Sequence, residues 1–212
     1  AGIHNGADDN ASGVSMIMEL AQALKNTKSK YNFLILAFSG EEFGLWGSNH
    51  FVKNPTIDLK KVAAMINLDM VGRLKDDNSL LVGGVGTSPI WKELLEKNNV
   101  SKLKLVFDES GSGPSDRTSF YFQNIPVLFY FTGQHEDYHK ISDDTEKINF
   151  NGMTKIYNNI LALVKSLEKV NNIPFTKTKD DKQERVVMKV TLGIMPDYMY
   201  NEKGLRIDGV KE

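Results

Sequence analysis

The sequence predicts an α/β fold, a three-layer α/β/α arrangement around a mixed, mostly parallel central sheet. Three observations predict it. YNFLILAF at 31–38, VAAMINL at 62–68 and VLFYF at 127–131 are uncharged apolar runs of strand length, the pattern of strands covered on both faces. Segments with apolar residues at helical spacing lie between them. Each run leads into a loop rich in acidic residues, glycine or histidine, and the carboxyl ends of strands are where open α/β sheets place ligands and catalysts.

Taken in order, residues 10–26 read as a helix opened by Ala11-Ser12-Gly13, with Val14, Ile17, Met18, Ala21 and Leu24 on one stripe. The run 31–38 reads as a doubly buried strand, and a short helix is expected over 42–51. Residues 62–68 give the next strand. Residues 79–82 and 103–107 are candidate strands flanking a helix near 89–98. A short helix is expected over 116–122, then the strand 127–131. Residues 150–170 read as a long amphipathic helix through Ile156, Ile160, Leu163, Val164 and Leu167. No internal repeat is visible. These elements make one domain over 1–172. The stretch 176–185 (TKTKDDKQER) has no apolar residue, so 173–185 is read as a linker. Strand character returns at 186–194.

Bulk properties narrow the function. At 41% hydrophobic and 25% charged, the 212 residues have an ordinary globular composition. A net charge of −1 gives no electrostatic reason to expect nucleic acid or an anionic membrane. With no cysteine, disulfides and thiolate metal sites are excluded. No apolar run is long enough to span a bilayer as a helix.

Four motifs carry the chemistry: GADDN at 6–10, SGEE at 39–42, NLDM at 67–70 and DYHKISDD at 137–144. Together they offer several carboxylates and a histidine, the inventory of a site that holds a divalent metal and activates water. Each has a plainer reading. Asp9 precedes a helix and could be a simple N-cap. Glu41 and Glu42 could be surface glutamates, although they follow a buried strand and a glycine turn. Asp69 ends an apolar strand, where a carboxylate is costly unless paired or metal-bound, and Arg73 four residues on is an alternative partner. His139 competes with His135, four residues before it.

In this order and context the four motifs resemble the M28 family of zinc aminopeptidases, over roughly residues 1–170. The resemblance implies the zinc-exopeptidase (phosphorylase/hydrolase-like) version of the fold and peptide substrates. It implies two zinc ions, with Asp9 bridging them, Asp8 supporting it, and a cis peptide between Asp9 and Asn10. Glu42 and His139 are then ligands of the first ion and Asp69 of the second. Glu41 is the general base that takes a proton from the attacking water and passes it to the leaving amine. Asp143 and Thr145 belong to the pattern trailing His139, while His135 lines the pocket or orients a neighbour. Relatives of this kind are secreted, periplasmic or in the cell envelope.

Residues 111–120 (GSGPSDRTSF) resemble the family's substrate-side loop, with two departures. Arg117 stands where many relatives have histidine, and Ser112 where some have the tyrosine that steadies the tetrahedral intermediate. Ser112, Arg117 and His135 are the candidate substrate-binding residues. The family's upstream H-x-D histidine has no counterpart, since His4 lies only five positions before Asp9. The first metal position is therefore expected to be complete and the second to lack its histidine, as in an excerpt of a longer enzyme. Residues 186–212 resemble the opening of a PDZ domain, cut short, with a stray hairpin as the alternative. Two other functions remain open: a single-zinc acyltransferase like glutaminyl cyclase, and a non-catalytic binding scaffold on the same fold.

Overall fold

The structure is a computed structural model that describes residues 2–25, 27–178, 194–196 and 203–210. Its main sheet has four strands: β1 (Met65–Leu68), β2 (Ser79–Gly83), β3 (Lys104–Phe107) and β4 (Val127–Phe131), in the order β1-β4-β2-β3. β1 runs parallel to β4, with Met65 opposite Val127 and Leu68 opposite Tyr130. β2 runs parallel to β3 and antiparallel to β4. The sheet is mixed and mostly parallel, as the apolar runs predict.

Strand alternation divides the core into two faces. Leu68, Leu80, Val82, Leu128 and Tyr130 point to one side, onto α1 (Gly13–Lys25), α3 (Trp91–Lys97) and α5 (Phe150–Ser166). Trp91, Ile156, Ile160 and Leu163 are almost fully buried there. On the other side Val127 packs with Val52 of α2 (Trp46–Lys53) and with Phe120 and Tyr121 of α4 (Arg117–Tyr121). Leu81, Phe129 and Phe131 are covered by Met70, with Val106 and Tyr138 at the margin. Helices on both faces give the three layers.

Two local expectations are corrected. Residues 31–38 form no ladder among the described residues, and Leu34 is 51% exposed. No described strand lies alongside this run to pair its backbone. Leu36 and Phe38 do pack against the cluster around Val52 and Phe120. The buried face of α1 is Met16, Leu20 and Leu24, while Val14 and Met18 are exposed. The apolar arc of α1 is broad, bounded by Ser15, Glu19 and Gln22, so spacing alone admits a stripe through Val14 and Met18 as well as the one through Met16 and Leu20. Gly13 donates its N–H to Asn10 Oδ1, and Asn10 is fastened to the end of β1.

The predicted linker splits in two. Residues 173–178 lie on the main domain: Ile173 is buried in the larger core cluster and Phe175 packs on Tyr121 with ring centroids 5.7 Å apart. Residues 179–193, which include nearly all of the strand expected at 186–194, lie outside the described residues. Further on, β5 (Ile194–Pro196) pairs antiparallel with β6 (Ile207–Val210). No helix among the described residues is long and apolar enough to cross a membrane.

Candidate metal centre

The parallel pair β1/β4 ends at one edge, and the four motifs gather there. Asp69 directly follows β1, and its N–H donates to Tyr130 O at 3.2 Å. The GADDN loop is sewn to the same edge. Asn10 Nδ2 donates to Leu68 O at 2.9 Å, and Asn10 Oδ1 accepts from the N–H of Met70 at 3.2 Å. The helical turn Ala7–Ser12 is interrupted at Asp9 and Asn10, which leave helical dihedrals, and the Asp9–Asn10 peptide is cis.

His139 sits in the loop after β4 at φ +58°, a left-handed conformation rare for residues other than glycine. Tyr138 stacks on its ring with centroids 3.7 Å apart. His139 Nε2 lies 2.8 Å from Glu42 Oε1 and 3.1 Å from Asp9 Oδ2. One ligand atom from each of Asp9, Glu42 and His139 falls within 4.8 Å of the others. Bonds of about 2.0–2.2 Å around a tetrahedral ion separate neighbouring ligand atoms by about 3.3–3.6 Å. The three atoms therefore fit one zinc ion with a small outward adjustment. They open onto a cavity of about 430 Å³ also lined by His4, Gly6, Lys140 and Asp143.

The other acids crowd behind this trio. Burial, then Asp69 and Glu42, pushes the Glu41 carboxyl up to about 8. Burial, partly offset by the Ser115 hydroxyl and reinforced by Asp9, raises Asp69 to about 7. Burial and then Glu42 raise Asp9 to about 6. Asp116 is also raised, first by burial. Like carboxylates sharing a site resist joint ionisation, and a divalent cation relieves that. The donor set thus fits a metal on both geometry and charge.

The partner of Asp69 is Ser115, whose hydroxyl donates to Asp69 Oδ2 at 2.8 Å and is itself met by Asn67 Nδ2. Arg73, the alternative that spacing suggests, instead bonds Asp137 Oδ2 at 2.9 Å. Ser142 and Lys147 bond the same carboxylate, so burial acts against them but the three donors hold Asp137 well below the usual range. No histidine joins Asp69 in a group of three metal-binding side chains among the described residues.

A supporting layer holds the ligands. The buried carboxylate of Asp143 accepts the N–H of Asp8 at 3.0 Å and of Asp9 at 3.0 Å, and its carbonyl accepts from Ala7. It thereby clasps the Asp9 loop to the His139 loop. Asp8 Oδ1 accepts from Gly72 N–H, and Asp8 Oδ2 lies 3.1 Å from His135 Nε2. His135 bonds this neighbour and does not line the cavity. Ser112 is half-buried, and its carbonyl accepts from Ser110 Oγ and from Arg117 Nη2. Arg117 is 4% exposed, 4.0 Å above the Phe129 ring, and burial lowers its pKa to about 10.

Tyr138 was given no role by the motif reading, yet it is half-buried and its ring stacks on His139. Burial, then Glu42 and Asp9, push its ionisation well above the ordinary tyrosine value. It is therefore a protonated O–H donor beside the trio. Its place next to His139 in Asp-Tyr-His is the signal that could have found it.

Comparisons with known proteins bear on this centre. The family model described as Peptidase family M28 matches residues 1–164. Aminopeptidase YwaD of Bacillus subtilis is 30% identical over 190 residues, covering 84% of this chain and 41% of that protein. The probable lipoprotein aminopeptidase LpqL of Mycobacterium tuberculosis is 34% identical over 143 residues, 60% of this chain and 29% of that one. The crystal structure of a zinc aminopeptidase from Bacillus subtilis superposes with a TM-score of 0.68 at 28% identity, over 77% of this chain and 42% of that chain. Glutaminyl cyclase from Porphyromonas gingivalis, with a TM-score of 0.61 at 18% identity over 77% of this chain and 64% of that one, shares the fold. This chain spans less than half the length of these aminopeptidase relatives.

Proposed function

The chain belongs to peptidase family M28, and on that premise we propose that it serves a zinc aminopeptidase, hydrolysing the N-terminal peptide bond of peptides. The observation that carries the proposal is the convergence of Asp9, Glu42 and His139 on one ion-sized space, with Glu41 beside them. Asp9, Glu42 and His139 Nε2 would hold the ion. Asp69 and Asp9 are the chain's contribution to a second position. Bound zinc supplies Lewis acidity and the positive charge that lets water ionise near neutral pH.

The side chains divide the remaining work. Glu41 holds a proton readily in the bare cluster, and added positive charge at the centre lowers its affinity for that proton. It is then matched to accept a proton from the attacking water and return one to the departing amine. The Tyr138 phenol donates toward the oxygen on which negative charge develops. The surplus of carboxylates, Asp116 among them, favours a substrate that brings a free α-ammonium group, which is the mark of an aminopeptidase.

The test is hydrolysis of a panel of aminoacyl chromogenic substrates, each with a free and an N-acetylated amine, with and without chelator. Turnover is expected on free amines only, abolished by chelator and restored by zinc. Conversion of N-terminal glutamine to pyroglutamate without hydrolysis would favour the cyclase-like reading instead. Residues 186–212 are read as PDZ-like, with a stray hairpin as the alternative; the antiparallel β5/β6 pair is compatible with both. Export to the cell envelope is the reading for location, supported by the lipoprotein named among the relatives.

A further inference from the structure

Residues 173–178 form a strap that lies beyond the part matched by the family model and was expected to be linker. Its contacts are specific. Thr176 N–H donates to Thr87 O at 2.8 Å. The Thr178 hydroxyl accepts the N–H of Gly111 at 3.1 Å and donates to the Tyr121 hydroxyl at 3.0 Å, which also accepts the Thr178 N–H at 3.1 Å. Gly111 is pressed into this junction, since a Cβ there would strike the Tyr121 ring and come within 2.7 Å of Thr87 Cγ2.

Gly111 begins the loop 111–118, which is braced internally. Gly113 N–H donates to the Thr118 hydroxyl at 2.8 Å, and Arg117 Nη2 bonds Ser112 O. Four residues past Gly111 the loop carries Ser115, whose hydroxyl holds Asp69 Oδ2. A braced loop transmits the position of one end to the other. The strap fixes the Gly111 end, and Asp69 is met at the Ser115 end.

We infer that the strap is a working part of the catalytic unit, with Thr178 a positioning residue that sets the 111–118 loop against Asp69. The inference rests on the role given to Asp69 above, but its structural half stands apart from activity. A side chain on a linker would tolerate Thr178→Val. A positioning residue would not, because valine keeps the shape and removes the acceptor for Gly111 N–H. Losing one such hydrogen bond corresponds to about a threefold to tenfold effect.

The experiment is hydrogen exchange and steady-state kinetics on the whole protein with Thr178→Val and Thr178→Ser. Thr178→Val should speed exchange in peptides covering 111–118 by about threefold to tenfold. It should lower kcat/KM by a similar factor, because Ser115 on this loop holds Asp69, the carboxylate given above to the second metal position. Thr178→Ser should behave as the parent, because it keeps the hydroxyl. Unchanged exchange over 111–118 in Thr178→Val, or a serine variant as impaired as the valine one, overturns the inference. So does faster exchange with unchanged kcat/KM. If the parent hydrolyses no peptide, the proposed function has failed, and the exchange arm alone decides whether the strap sets the loop.

Discussion

Tyr138 and Asp143 flank the function of His139 in different ways. Tyr138 is half-buried with its phenol kept protonated by burial and by the carboxylates around it. Tyr138→Phe keeps the ring stacked on His139 and removes only the O–H. The expected result is a fall in kcat of about 10²–10³-fold, the range for one oxyanion donor, with zinc affinity unchanged. Steady-state kinetics beside a zinc titration checks it. Asp143 meets two backbone N–H groups of the Asp9 loop with its carboxylate. Asp143→Ala removes both acceptor oxygens. It should cost about 1–3 kcal/mol in denaturant unfolding by leaving a buried N–H unpaired. It should also weaken zinc binding about 10- to 100-fold, as loss of a ligand's support does.

The sheet and the loops at its edge differ in how far the sequence announces them. Strands β1 and β4 and the loops after them were legible because a charge at the end of an apolar run must be accounted for. Asp69 and the His139 loop follow from that rule. The Asp9 loop was legible only as a motif, since its anchoring to Leu68 O and Asp143 spans 58 and 134 residues. Pairings of that range leave no local trace, which is why Arg73 was a reasonable guess for Asp69 and Ser115 was not. The rotation of α1 was only partly legible because its apolar arc is wider than the face it buries. The strap was missed because Thr-Lys-Thr-Lys reads as solvated, although Ile173 and Phe175 just before it pack on the main domain and its amides and the Thr178 hydroxyl are bonded there. The run 31–38 reads as a buried strand from composition alone, yet composition cannot say which strands lie beside it.

At the scale of the molecule, the crowded acids tie stability to pH and metal. Unfolded carboxyls titrate near about 4, whereas burial holds folded Asp9 at about 6, Asp69 at about 7 and Glu41 at about 8. Between those limits the folded protein binds more protons than the unfolded chain. The metal-free protein should therefore lose stability as pH rises from about 4 to about 8. Zinc binds the folded form with these groups ionised, so its stabilisation should grow over the same window. Denaturant unfolding across that range, with zinc and with chelator, should give curves that diverge as pH rises. Parallel curves would mean that the acids do not share a cation.

The central claim is that Glu42 belongs to the metal and Glu41 to the proton, although they are adjacent in the chain. The most direct measurement is zinc affinity and kcat for the protein and for Glu41→Gln and Glu42→Gln. The account predicts that Glu41→Gln keeps its zinc affinity and loses turnover by about 10²–10⁴-fold, the worth of a general base. It predicts that Glu42→Gln weakens zinc binding at the Asp9–Glu42–His139 centre, with activity recovering only as zinc is raised. Equal loss of zinc in the two variants, or full turnover in Glu41→Gln, would contradict it.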